Sequence, residues 1–348
     1  MDGLGSSIEI DSKWTDVARI LPRINEDVNE EWISDKSRYA FDGLKYQRLP
    51  YPMIKINNVL QECSWMDVMK FISQHVKGIP GYEIAGSIGP FQDVESLIAY
   101  RDFMHRLGSD DLEYIHKELA IDNTFRIQYL MNSRIRGVED ADVLLIIGTN
   151  LRNECPVLNS RIRKAVQKGL KVGIIGSAVN TFYEYTHLGN HPSSITQLLN
   201  SSNKFNQLLQ NAKLPMVIMG SSVMERDDGK MIYNNVMKLV QECGIIKPKS
   251  KWNGFNVFQK YTSSAAALDI GITYKPRKTA PKVAYLLGSD DYESKDISSD
   301  TFVIYQGHTG DRGAARADVI LPGCSYLEKN ATYVNTEGRP QYGRKVGI

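Results

Sequence analysis

The chain has 348 residues, 42% hydrophobic and 24% charged, with a formal net charge of +2 from 42 basic and 40 acidic residues. That length is too great for one ordinary core and suits two lobes, and the balanced charge gives no reason to propose nucleic acid or an anionic membrane as partner. No apolar run approaches the roughly 18 residues needed to span a bilayer, so no direct membrane span is expected and any membrane association would come through another subunit.

The amino terminus, MDGLGSSIEIDSKW, has neither the charged-then-apolar layout of a secretory signal nor the Arg-rich character of a transit peptide. The chain is expected to be made where it works, or to have been trimmed. Residues 1–55 are dense in charge and carry no strand–glycine pattern. They read as an irregular, extended arm with short strands, whose Ile20, Leu21, Trp32 and Tyr39 must be buried against a neighbour. Residues 56–348 read as an α/β domain. At its start, Ser64 and Asp67 fit a capping box ahead of WMDVMKFISQH (65–75).

Six later segments share one design, an apolar run ending in glycine and a small or polar residue. They are YEIAGS (82–87), VLLIIGT (143–149), VGIIGS (172–177), MVIMGSS (216–222), VAYLLGS (283–289) and TFVIYQGH (301–308). Apolar runs without alternation suit parallel strands covered on both faces. Helical patterns lie between them. In DVESLIAYRDFMHRLG, Val94, Leu97, Ile98 and Leu107 form an apolar stripe and Gly108 a stop. In PVLNSRIRKAVQKG, Pro156 opens the helix and Gly169 ends it. Residues 246–281 read as an irregular, basic surface connection. Strand, glycine turn and helix in repetition predict doubly wound parallel sheets in two lobes.

Among chemistry-bearing residues, Gly148, Thr149 and Asn150 follow a strand and could offer donors to a phosphate. Arg152, Arg161, Arg163, Lys164 and Lys168 lie nearby. G-x-G-x-x-G and Walker A patterns are both missing, so a structural turn is the preferred reading, with the basic helix face solvated or in a subunit contact. Cys63, Cys155, Cys243 and Cys324 are far apart and form no metal-ligand spacing. Of six histidines, including His75, His105, His116, His187 and His191, only His308 stands at a strand end where ligands bind. No nucleophile motif accompanies it, so catalysis by His308 is not expected.

Four stretches together carry a resemblance: ILPRINEDVNEEWISDKSRYAFDGLKYQRL, GVEDADVLLIIGTNLRNECPVLNSRIRKA, YQGHTGDRGAARADVILPG and EKNATYVNTEGRPQ. They resemble, in order and over nearly the whole chain, the carboxyl-terminal part of the largest iron–sulfur subunit in the peripheral arm of respiratory complex I, NADH:ubiquinone oxidoreductase. The wider superfamily is the molybdopterin oxidoreductases. The resemblance implies that Gly148, Thr149, Asn150, Gly176, Ser177, Gly307 and His308 line a pterin-dinucleotide pocket that is vestigial here. Active relatives carry a Cys, selenocysteine or Ser metal ligand before the ADVLLIIG strand. The corresponding YIHKELAIDNTFRIQYLMNS holds no Cys, and Ser133 lies too close to the strand; Leu151 stands where many relatives have Pro.

The implied function is a structural, non-catalytic module on the matrix side of the mitochondrial inner membrane, with no cofactor or metal of its own. Iron–sulfur clusters and FMN would sit on partner subunits. The cluster-bearing amino-terminal half would be a separate chain, contacted by residues 1–55. The alternatives are an active molybdopterin-dependent oxidoreductase, formate dehydrogenase-like, and a nucleotide-binding regulatory module using residues 148–152.

Overall fold

A computed structural model describes residues 2–14, 16–114, 123–200, 202–273, 279–290 and 297–346. His116 and the KPRK run at 275–278 lie outside the described residues. An antiparallel hairpin, β1 (Ile8–Lys13) and β2 (Asp16–Pro22), leads through α1 (Asp35–Tyr39) to a second, β3 (Met53–Ile56) and β4 (Val59–Glu62). Then come α2 (Trp65–Val76), β5 (Ile84–Ile88), α3 (Val94–Arg106) and β6 (Leu112–Tyr114). The central stretch is β7 (Val143–Ile147), α4 (Leu151–Glu154), α5 (Pro156–Gln167), β8 (Lys171–Ile175) and β9 (Thr186–His187). It continues with α6 (Ser193–Leu198), α7 (Lys204–Asn211), β10 (Pro215–Gly220) and α8 (Gly229–Glu242). A short ribbon, β11 (Ile246–Lys247) and β12 (Trp252–Asn253), precedes β13 (Phe255–Phe258) and α9 (Ser264–Ile270). The last elements are β14 (Val283–Leu287), β15 (Phe302–Gly307), α10 (Arg312–Arg316), β16 (Val319–Pro322) and the hairpin β17 (Ala331–Val334) and β18 (Pro340–Gly343).

Two sheets organise these elements. The five-stranded sheet has order β13-β10-β7-β8-β9, all parallel. The seven-stranded sheet has order β4-β3-β16-β15-β14-β5-β6, parallel except where β3 and β4 join antiparallel at one edge. Both sheets are covered on both faces, which is why their strands are unbroken apolar runs. Val143, Leu145 and Ile147 enter one core, and Leu144 and Ile146 enter another on the opposite face. Val283 and Leu287 divide from Ala284 and Leu286 in the same period-two way.

The helices begin and end as the sequence indicates. Ser64 Oγ accepts from Asp67 N at 3.2 Å and donates to Asp67 Oδ2 at 2.6 Å, closing the first turn of α2. Pro156 occupies the start of α5. Gly108 and Gly169, with φ of +77° and +111°, follow the ends of α3 and α5. One member of the α3 stripe is displaced: Leu97, Tyr100 and Met104 are buried, whereas Ile98 is 39% exposed. Spacings of three and four define the inward face, and Ile98 is one residue off it.

Two regions differ from expectation. Residues 246–281 are not simply a surface connection. Phe255, Asn256, Val257 and Phe258 form a fully buried strand beside β10, and α9 buries Ala265, Ala266, Ala267 and Leu268. Basic residues on either side mask a strand only four residues long, which the polar Asn256 interrupts. The described part of the arm, in turn, packs at several points on the body of its own chain. Ile20 clusters with Val17, Ile33 and Leu327, Leu4 and Val28 join the core beneath the five-stranded sheet, and Ile54 lies in the seven-stranded sheet opposite Val319. Trp32 and Tyr39 remain 49% and 60% exposed.

The same packing corrects the reading of the basic helix. Arg161 is 1% exposed. Its guanidinium donates to the carbonyl of Val28 at 3.2 Å, to that of Glu26 and to the Glu139 carboxylate. Lys164 Nζ bonds Glu30 at 2.8 Å, and Arg339 reaches Asp27 at 3.1 Å. Thus residues 26–30 are latched to α5 by two bonds of the buried Arg161 fork and by the Lys164–Glu30 pair, which a solvated face would not need.

Candidate functional site

In doubly wound sheets the ligand crevice lies where strand order reverses, outside the carboxyl ends of the strands. In the five-stranded sheet β8 and β9 run to one side of β7, and β10 and β13 to the other. The reversal falls between β7 and β10. Gly148, Thr149 and Asn150 leave β7 at this point, and Gly148 has φ +61°, a conformation costly for any residue with a Cβ. Gly176 leaves β8 beside it: its N–H donates to Gly189 O and its carbonyl accepts from His187 Nε2, each at 2.9 Å. Ser177 is exposed.

This turn is filled by the chain itself. A methyl group on Gly148 would lie 2.1 Å from Val223 Cγ2, so Val223 already occupies the space above the glycine. The Asn150 N–H, the donor a phosphate would use, is taken by Glu154 Oε1 at 2.9 Å. Lys36 Nζ donates to Glu154 O at 2.6 Å and sits 3.4 Å from Asp2 Oδ2. Asp2 and Leu4 are buried, and Gly3 N donates to Lys260 O at 3.2 Å, so residues 2–4 cover this edge of the molecule. Thr149 Oγ1, Asn150 Oδ1 and Glu154 Oε2 are buried with no hydrogen-bond partner among the described residues. The Thr149 hydroxyl could donate to an incoming phosphate, but the other two are acceptors and would repel its oxygens.

Gly307 and His308 belong to the other sheet and do not join this group. There the order reverses between β5 and β14, one strand away from β15. Its residues are Ser87 and Ser289, whose hydroxyls lie 2.8 Å apart, and Gly89 and Gly288. A Cβ on Gly89 would come within 1.8 Å of Gly288 O, so backbone closes this second crevice. Sequence reasoning passed over this pair, although YEIAGS and VAYLLGS end on those serines. His308 is covered by the arm. Leu49 N donates to His308 O at 3.1 Å, Gly310 N donates to Gln47 O at 2.8 Å, and Arg48 bridges Thr309. Burial, then the positive charge of Arg48, holds the His308 imidazole below its ordinary pKa, against the opposing pull of Glu328. It is therefore neutral at pH 7.

The remaining candidates are structural. His75 stacks on Phe302 at 4.5 Å, and His191 Nδ1 pairs with Ser193. Burial lifts the thiols of Cys155, Cys243 and Cys63, that of Cys243 to about 11, so none is a ready thiolate. Among the described residues no three His, Cys, Asp or Glu side chains are grouped to hold a metal, and no helix is long and apolar enough to cross a membrane. A cavity of about 240 Å³ opens at the carboxyl end of α3, away from both crevices. Its Arg101 is already engaged by Asp102 and by Ile270 O.

A family model described as molybdopterin oxidoreductase matches residues 48–347. A second, for the 4Fe-4S domain of NADH-ubiquinone oxidoreductase NDSU1/NuoG-like proteins, matches residues 1–42, a stretch without cysteine. The chain is 42% identical to the mitochondrial NADH-ubiquinone oxidoreductase 78 kDa subunit of Neurospora crassa, over 99% of this chain and 47% of that protein. It is 43% identical to an NADH-quinone oxidoreductase subunit of Rickettsia felis, over 99% of this chain and 51% of that protein. A relative in Solanum tuberosum, the mitochondrial NADH dehydrogenase [ubiquinone] iron-sulfur protein 1, is 39% identical, over 98% of this chain and 46% of its own length. The chain thus spans about half the length of the curated relatives it matches. Among solved structures, acetylene hydratase from Pelobacter acetylenicus superposes with a TM-score of 0.68 at 14% identity, covering 97% of this chain and 64% of that one. At that identity the likeness speaks for the fold alone.

Proposed function

We propose a scaffolding role for this chain, which belongs to the molybdopterin oxidoreductase family: it is a non-catalytic module in the peripheral arm of respiratory complex I. The observation that carries the reading is the self-filled turn at Gly148. Val223 stands over the glycine, Glu154 takes the Asn150 amide, and two of the three unpartnered buried side-chain atoms there are acceptors. These residues do not fit a pterin dinucleotide, and no chemical step is derived through one. The relatives named as NADH dehydrogenase subunits supply the context. On this reading, NADH oxidation and electron transfer proceed on FMN and iron–sulfur clusters of neighbouring subunits, and the assembly sits on the matrix side of the mitochondrial inner membrane.

The arm carries the docking part of the proposal. Trp32 and Tyr39 are exposed on the arm, as are Trp14, Ile24, Tyr46 and Tyr51, and residues 1–42, which hold no cysteine, match a 4Fe-4S domain family. Trp32 and Tyr39 are assigned to the cluster-bearing part of the subunit, whether that part lies on this polypeptide or on a partner. Metal analysis of the natively purified protein tests the scaffold reading: stoichiometric molybdenum overturns it in favour of an active molybdopterin oxidoreductase. Replacing Trp32 and Tyr39 together by Ser tests the docking: incorporation into complex I should fall while the isolated chain melts as before. Undiminished incorporation would sink that assignment.

A further inference from the structure

The opposite pole of the five-stranded sheet, at the amino ends of its strands, carries a row of lysines. Lys171 opens β8 and pairs in register with Val143. Lys213 lies two residues ahead of Pro215, which pairs with the same Val143 on the other side. Asp142 ties the two together: its carbonyl accepts from Lys171 N at 3.1 Å, and its carboxylate accepts from Lys213 N at 2.6 Å. Two strand spacings put these lysine backbones about 10 Å apart. Lys168 stands one turn before Lys171. On the far side, Lys247 Nζ donates to the carbonyls of Ala212 and Lys213 at 2.7 and 3.0 Å. That clamp fixes the β11–β12 ribbon against the start of β10, and Trp252 Nε1 reinforces it by donating to Pro215 O at 2.8 Å. The ribbon's turn presents Lys249 and Lys251, the latter held at φ +56°.

Lys168, Lys171, Lys213, Lys249 and Lys251 are all exposed, and none forms an ion pair among the described residues. The carboxyl ends of α5, α7 and α8 reach this pole and favour nearby cations. They do not account for Lys171 or for the ribbon. The acids of the pole are Asp140, Asp142 and Glu242, fewer than the lysines, and the Asp142 carboxylate is spent on backbone amides. We infer that this lysine row is a docking surface for an acidic protein segment, through amines held in fixed register by β8, β10 and the clamped ribbon.

Charge complementarity selects that occupant. A membrane surface would call for apolar anchors among the cations, and Ile246 is the one large apolar side chain exposed on the ribbon. A nucleic acid would call for arginine forks and exposed aromatic rings for stacking. Trp252 is instead turned inward onto Pro215. A chain of net charge +2 also has no long-range field for a polyanion, whereas a local row of amines suits a local row of carboxylates.

The inference rests on the chain working inside a multi-subunit assembly, and one experiment separates the two. The natively purified assembly is treated with a carbodiimide, which joins amines only to carboxylates in contact, and in parallel with an acetylating reagent. The row should cross-link to Asp or Glu of another polypeptide, and its acetylation should slow at least tenfold relative to the isolated chain. Lys171→Glu with Lys249→Glu and Lys251→Glu should reduce incorporation at least tenfold, and the corresponding Arg replacements should restore it. A chain that sediments alone would defeat the assembly reading. A chain found in the assembly with its row acetylated at the isolated rate would defeat this inference only. Protection that disappears with detergent or nuclease would assign the row to lipid or nucleic acid, and so overturn it as well.

Discussion

Replacing Arg161 by Met is the sharpest test of how the arm is held. The methionine keeps most of the side-chain volume but removes every donor. Two backbone carbonyls, of Glu26 and Val28, then lose their partner, and the Glu139 carboxylate loses its cation. An unsatisfied buried acceptor costs about 1–3 kcal/mol, and breaking a buried charge pair about 3–5 kcal/mol. Glu139 retains 28% of its side-chain exposure and can hydrate, so the expected loss sits near the pair value, about 3–5 kcal/mol in all. The assay is urea unfolding together with trypsin cleavage at Arg23, Lys36 and Arg38, which flank the latched segment. Arg163→Met, exposed on the same helix, is the control and should move stability by no more than about 0.5 kcal/mol. Arg161→Lys retains the charge without the fork and should fall between. Equal unfolding midpoints and equal cleavage rates for Arg161→Met and Arg163→Met would refute the latch.

Gly148→Ala should cost about 1–2 kcal/mol for the left-handed backbone and about 1–3 kcal/mol more for the clash with Val223. Adding Val223→Ala should restore only the second part, and a full rescue in thermal melts would show that the backbone conformation is not limiting. His308 has a lowered pKa, so the unfolded chain binds its proton first as pH falls. Its contribution is constant above the ordinary value of 6.5 and turns destabilising below it, and His308→Gln should flatten stability measured from pH 7 to 5. An unchanged slope would count against burial of that ring. Ser64→Ala removes the cap of α2 and should cost about 1 kcal/mol, read by denaturant midpoint; no change would mean that Asp67 alone holds the turn.

Much of this molecule is local and therefore visible in its residues. Val143 to Ile147 had to be a strand covered on both faces, because five consecutive apolar side chains leave no face for water. Pro156, Gly169, Ser64 and Asp67 mark helix ends through backbone constraints that act within one turn. The turn at Gly148 was legible as a turn. Its contents were not, because Val223 and Lys36 come from distant parts of the chain, and only the fold brings Val223 onto the glycine and Lys36 onto the carbonyl of Glu154.

Arg161 shows the same division from the other side. In sequence it is one of several basic residues in RIRK, with nothing to separate it from Arg163. Helix geometry turns the two side chains about 200° apart, and the arm then closes over one of them and not the other. Strand identity and helix ends came from single-residue sterics and patterning along the chain. Which cation is buried, which strand hides among lysines at 255–258 and which glycine has a neighbour above it depended on contacts between residues tens to hundreds of positions apart, and these exist only once the two sheets and the arm have packed.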